Sequence, residues 1–151
     1  MVKNTKNKTP KKAMSYLVNL GKGFHEVTSP VKKQIAEKFD VNSRVFDLIK
    51  LPKQICKHPI DELEKIDLKK ITLIEMKSNS NPKIDRSTLK DFYFGYTVNQ
   101  RNAAKKLKKK YRIVFVVVPR DGSKKFHVEM SDADLWDKAK NENMTWHISF
   151  K

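Results

Sequence analysis

The sequence predicts an α/β domain: a central mixed β-sheet flanked by helices, with a C-terminal β-α-β extension. Three observations predict it. The runs "ITLIEMK" (71–77) and "YRIVFVVVP" (111–119) carry apolar residues on both alternating faces, as strands inside a covered sheet must. A helix-period segment leads into the second run, giving the strand-helix-strand order of a crossover connection. The 151 residues are enough for one hydrophobic core and not for two.

The elements follow in order. Residues 1–12, "MVKNTKNKTPKK", carry five lysines and no acid, and are expected to form a flexible basic arm ahead of a single domain over 13–151. "AMSYLVNL" (13–20) reads as the first segment to contact the core. In "SPVKKQIAEKF", Ser29 is expected to cap a helix with Pro30 at its first position, and Val31, Ile35 and Phe39 form one apolar stripe. "SRVFDLIKLP" (43–52) predicts a strand with Val45, Asp47, Ile49 and Leu51 on one face. A loop with a short helical piece near 60–66 then leads to the strand 71–77, whose expected neighbour is 45–51.

Turn residues fill 78–88, and "DFYFGYT" (91–97) predicts a short strand. Thr97 is placed to cap a helix over 98–110, with Gln100, Ala104, Leu107 and Tyr111 on its inner stripe. Arg101, Lys105, Lys108 and Arg112 form its outer stripe. After the strand 111–119 and its "RDG" turn come a strand at 125–130, a helix capped by Ser131 and a last strand at 144–150, with Trp136 and Trp146 in a C-terminal core.

Charge narrows the function classes. The 33 Lys and Arg residues against 17 Asp and Glu give a formal net charge of +16, which favours a polyanionic partner, nucleic acid first. The single cysteine, Cys56, excludes an intrachain disulfide and fits a reducing compartment. No run is long and apolar enough to predict a membrane span. No glycine-rich phosphate loop or zinc-ligand spacing is present.

The chemistry concentrates at the end of the 71–77 strand. Period two brings Leu73, Glu75 and Lys77 to one face, so a carboxylate and an ammonium emerge together. With 45–51 alongside, Asp47 stands next to Glu75. Two such carboxylates repel unless a cation lies between them, and Mg²⁺, which prefers oxygen ligands, is the expected one, with Mn²⁺ able to substitute. Lys77 then faces metal-bound water. Asp61 and Asp67 remain alternative upstream ligands, although they lie in a polar stretch, whereas Asp47 interrupts an apolar face. A lone E-x-K triplet is weak in a lysine-rich chain, and "DLK" at 67–69 is a second match; the surrounding elements give this one its weight.

Asp47 followed by Glu75-Met76-Lys77 at the end of an apolar strand, then "FYFGYT", a helix and a hydrophobic strand, resembles the PD-(D/E)XK nuclease superfamily over about 22–119. Within it, "FGYTVNQRNAAKKL" and "YRIVFVVV" look most like Mrr-type and related restriction-associated domains. The resemblance implies a restriction-endonuclease-like core, a Mg²⁺-dependent DNA endonuclease with Asp47 and Glu75 on the metal and Lys77 at the attacking water, and a homodimer that cuts double-stranded DNA. It also implies assisting roles for Glu26, as a glutamate on the first helix, and Gln100, as the polar residue opening the helix after the triplet. A restriction, defence or recombination role in the cytoplasm of a prokaryote, or in a phage, is implied with it.

Seven basic residues and no acid between 101 and 112 exceed what solubility requires, so Arg101, Lys105, Lys108, Lys109 and Arg112 are expected to contact DNA phosphates. Two other readings stay open: a DNA-binding module of the same fold without catalysis, and a basic RNA-binding protein.

Overall fold

The computed structural model describes residues 8–141 and 146–149. Helix α1 (Lys8–Asn19) buries Ala13, Leu17 and Val18. The apolar stripe of 13–20 thus makes a helix, and that helix extends back over Lys8 to Lys12, part of the expected arm. Pro10 is tolerated there because it falls in the first turn, where amides have no intrahelical partner. Residues 1–7 of the arm, residues 144, 145 and 150 of the expected last strand, and the side chain of Trp146 lie outside what the structure describes.

Strand β1 (Phe24–His25) is followed by α2 (Ser29–Phe39), which buries Val31, Ile35 and Ala36. Thr28, not Ser29, occupies the N-cap and makes no side-chain cap bond, with Pro30 in the first turn. The expected strand 43–52 is reduced to β2 (Leu48–Lys50), because Ser43–Val45 winds into a 3₁₀ turn capped by Asn42. β3 (Thr72–Asn79) and β5 (Tyr111–Val117) are the two long strands predicted, and β6 (Phe126–Met130) follows. They form one five-stranded sheet in the order β1-β2-β3-β5-β6, with β3 and β5 parallel and every other pair antiparallel.

The chain is therefore α/β with a mixed sheet flanked by helices. α2, α3 (Val98–Leu107) and α4 (Asp132–Asn141) contribute Val31, Ile35, Ala103, Ala104 and Leu135 to the core on one sheet face. On the other face α1 packs against Leu48, Ile74, Val114 and Val116.

The C-terminal part differs from expectation. β6 is the edge of the main sheet rather than part of an extension, while β4 (Phe94–Thr97) and β7 (Trp146–Ser149) pair in parallel as a separate two-stranded sheet. The predicted caps of α3 and α4 form: Thr97 Oγ1 accepts the Gln100 amide at 3.0 Å, and Ser131 Oγ accepts the Asp134 amide at 3.1 Å.

β1 is tied to the segment after β2 by two polar side chains, the buried His25 and the half-buried Gln54. His25 Nδ1–H donates to the Gly23 carbonyl at 2.7 Å, and its Nε2 accepts the Ile55 amide at 3.0 Å, an arrangement open only to neutral imidazole. Gln54 accepts from the Gly23 amide at 2.7 Å and donates to the Phe24 and Cys56 carbonyls. Burial holds the His25 pKa below its ordinary 6.5. The unfolded chain thus takes up a proton that the fold refuses, so stability falls as the pH drops below 6.5 toward the folded-state value. His127, also held low by burial, adds to the same slope. Thermal melts between pH 7.5 and 5.5 are expected to show a shallower acid decline in His25→Leu; an unchanged slope would exclude His25 as its source.

Candidate active site

The register of β2 against β3 builds the site. Leu48 pairs with Ile74 and Ile49 with Leu73, so Asp47, one residue before β2, stands opposite Glu75. Its backbone continues the ladder, the Asp47 amide donating to the Ile74 carbonyl at 2.8 Å, and its Oδ2 accepts the Met76 amide at 2.9 Å. Asp61 and Asp67 do not share this position: Asp61 pairs with Lys65 at 3.3 Å, and Asp67 turns back on the Lys69 amide at 3.0 Å, both exposed.

Glu75, Lys77 and Gln100 close into a triangle. Lys77 Nζ lies 3.1 Å from Glu75 Oε1 and donates to Gln100 Oε1 at 3.1 Å, while Gln100 Nε2 donates to Glu75 Oε1 at 2.8 Å. Gln100 also accepts the Thr97 amide at 3.1 Å, completing a capping box at the start of α3. One side chain thus caps the helix and orients a carboxylate. All three groups are largely withdrawn from water, with Glu75 only 5% exposed and Gln100 8%.

Glu75 is the electrostatic centre. Burial first, and the adjacent Asp47 carboxylate second, push its pKa well above the ordinary carboxylate value, outweighing the opposite pull of Lys77. Its Oε2 is buried and receives no hydrogen bond. An acceptor without a donor beside a second carboxylate is a place for a proton or a cation. Among the described residues no group of three or more His, Cys, Asp and Glu side chains converges on a metal position; Asp47 and Glu75 are two neighbouring carboxylates. They fit Mg²⁺, which binds through one or two carboxylates and fills its shell with water and phosphate oxygens.

Tyr111 is a member of this site that the sequence placed elsewhere. It belongs to β5, not to an inner stripe of α3, and its hydroxyl donates to the Val45 carbonyl, tying down the turn from which Asp47 emerges. Burial and the nearby Glu75 charge raise its pKa, which keeps the hydroxyl a donor. The signal was present only as a tyrosine heading an apolar run.

Glu26 is not on a helix and does not join the cluster. It lies between β1 and α2, its carbonyl accepting the Ile60 amide at 2.9 Å, and no hydrogen bond or ion pair among the described residues links its carboxylate to Asp47 or Glu75.

The basic stripe is also redistributed. α3 ends at Leu107, a 3₁₀ turn covers Lys108–Lys110, and Arg112 is on β5, where pairing with Ile74 directs it to the face opposite Glu75. There its Nε lies 3.4 Å from Glu129. Arg101 is half-buried, its guanidinium stacked 3.9 Å over Trp136 of α4. Lys105, Lys108 and Lys109 remain exposed.

No helix among the described residues is long and apolar enough to cross a membrane. No protein-family model, curated protein or solved structure matches the chain.

Proposed function

We propose that this protein is a Mg²⁺-dependent DNA endonuclease of the restriction-endonuclease-like kind expected from its sequence. One observation carries the reading: Asp47, just before β2, meets Glu75 and Lys77 of β3 in one cluster around the buried Glu75, which Gln100 orients. An ion pair that merely closed a strand end would need neither a second carboxylate against Glu75 nor an unsatisfied Glu75 oxygen.

In this reading Asp47 and Glu75 would hold the cation. When bound, Mg²⁺ or Mn²⁺ would supply Lewis acidity toward a phosphate oxygen and acidify a water. Lys77, held by Glu75 and Gln100, would orient the attacking water and offset negative charge growing on the phosphate. Gln100 fixes the Glu75 carboxylate, and Tyr111 fixes the turn carrying Asp47. One cluster attacks one strand, so cutting both would take a homodimer.

The test is conversion of supercoiled plasmid to nicked circles with Mg²⁺ and not with EDTA, with Asp47→Asn abolishing it. Absence of nicking on every DNA form, with binding retained, would favour a non-catalytic module.

A second expectation needs no substrate. Because the folded-state pKa of Glu75 is raised, its contribution to stability is lost as the pH rises through that value, and Mg²⁺ restores it by replacing the proton. At roughly tenfold excess over its dissociation constant Mg²⁺ is expected to stabilise the fold by about 1.4 kcal/mol, a shift of a few degrees in Tm, larger at pH 8 than at pH 6. An equal shift in Asp47→Asn would place the cation elsewhere.

A further inference from the structure

α1 covers only part of its sheet face. Its apolar contacts reach Leu48, Ile74, Val114 and Val116. Beyond them the same face carries half-buried polar side chains that step diagonally across four adjacent strands: Lys50 of β2 pairs with Thr72 of β3, Arg112 of β5 is opposite Ile74, and Glu129 of β6 is opposite Val114. These polar residues line a groove of about 490 Å³, rimmed by Lys70 and Lys109. Lys109 and Arg112 also border a second hollow of about 320 Å³ with Lys105 and Lys108, so basic side chains continue around the sheet end.

Strands as apolar as β2 and β5 place a Lys and an Arg here at a desolvation cost that one carboxylate does not balance. Glu129 lies 2.9 Å from Lys50 Nζ and 3.4 Å from Arg112 Nε, yet Arg112 Nε is buried without a hydrogen bond. Four cations face one anion in the groove. A phosphate diester backbone supplies the missing negative charge and acceptors for the exposed lysines at its rim.

The groove is separate from the carboxylate cluster. Side chains of Thr72 and Arg112 leave the sheet on the face that Glu75 turns away from, and along β3 Lys77 is five residues, roughly 16 Å, from Thr72. Duplex DNA is stiff over about 150 base pairs, so a short duplex lying on the cluster does not fold back onto the other face.

We propose that the groove of Lys50, Lys70, Thr72, Lys109 and Arg112 is a second phosphate-binding surface that holds a duplex segment other than the one at the Asp47-Glu75 cluster. DNA as the polyanion rests on the endonuclease reading; the separateness of the surface does not.

The test is stoichiometry, read as the difference between the wild type and a groove variant, since a dimer that shares one duplex between two clusters still carries one groove per chain. A 12-base-pair duplex is titrated at about 100 mM NaCl into protein well above its dissociation constant, followed by anisotropy and sedimentation, without Mg²⁺. The wild type is expected to bind one duplex per chain more than Lys70→Glu with Lys109→Glu, which keeps only the duplex at the cluster. Both lysines are exposed, so an unchanged melting curve certifies the fold. In the complementary variant, Lys77→Glu, one duplex is expected to remain, with Arg112→Gln in that background removing it. Equal stoichiometry in the wild type and the groove variant overturns the proposal. The additional duplex per chain without plasmid nicking supports the groove and overturns the endonuclease reading alone.

Discussion

Lys77→Met is expected to slow plasmid nicking by about 10²- to 10⁴-fold, the range for loss of a group that acts on the proton or charge of the reacting water. Methionine keeps the length of the stem and removes the ammonium. Folding should suffer little, because Glu75, whose pKa burial already raises, answers the loss of its partner by keeping a proton. Glu75→Gln separates catalysis from stability more sharply. It should abolish nicking as completely, yet raise the melting temperature of the metal-free protein near pH 8, since a buried carboxylate beside Asp47 is replaced by a neutral amide. Were the cluster a structural ion pair, the same substitution would destabilise and nicking would be untouched. Rates measured beside melting curves for both variants decide it; nicking that survives in both would remove the site assignment.

The largest stability loss is expected far from the chemistry, in Gly23→Ala. Gly23 has φ +100°, and a β-carbon there would lie 2.0 Å from the Leu51 carbonyl oxygen, an overlap only backbone movement could relieve. The same residue's amide and carbonyl hold Gln54, Leu51 and His25. The cost is expected at about 3 kcal/mol or more, lowering Tm by roughly 10 °C. Gly122 is the control: its φ is +80° but nothing lies within 4 Å of the added carbon, so Gly122→Ala should cost about 1 kcal/mol from backbone strain alone. Equal losses in the two variants would show that the Leu51 contact is not what makes Gly23 necessary.

Much of the site was legible because its determinants are local. An apolar strand that ends Glu-Met-Lys announces by period alone that both charges share a face. Thr97 with Gln100 three residues on is a capping box in sequence and in space. Asp47 drew notice as a charge inside an apolar run. What misled was equally local. The lysine-rich stretch 105–110 has high helix propensity, so a helix running to residue 110 followed, carrying Tyr111 and Arg112 as helical neighbours. The chain instead leaves the helix at Lys108, with φ 53°, because the ladder of β5 on β3 starts at Tyr111 opposite Leu73 and needs extended backbone there. The pairing of β4 with β7, and of β6 with the main sheet, was invisible for the same reason: strand partners are chosen by contacts distant in sequence.

By itself, then, the sequence determined the two long strands, the helices that begin at Ser29 and Val98, the faces they bury, and that Glu75 and Lys77 emerge together, since periodicity and capping act within a few residues. Only the tertiary structure decided that Asp47 rather than Asp61 or Asp67 meets Glu75, that Gln100 and Tyr111 brace the pair while Glu26 stays apart, and that Arg112 faces away into a groove of its own. Those outcomes depend on register between strands, where a shift of one residue sends every side chain to the opposite face.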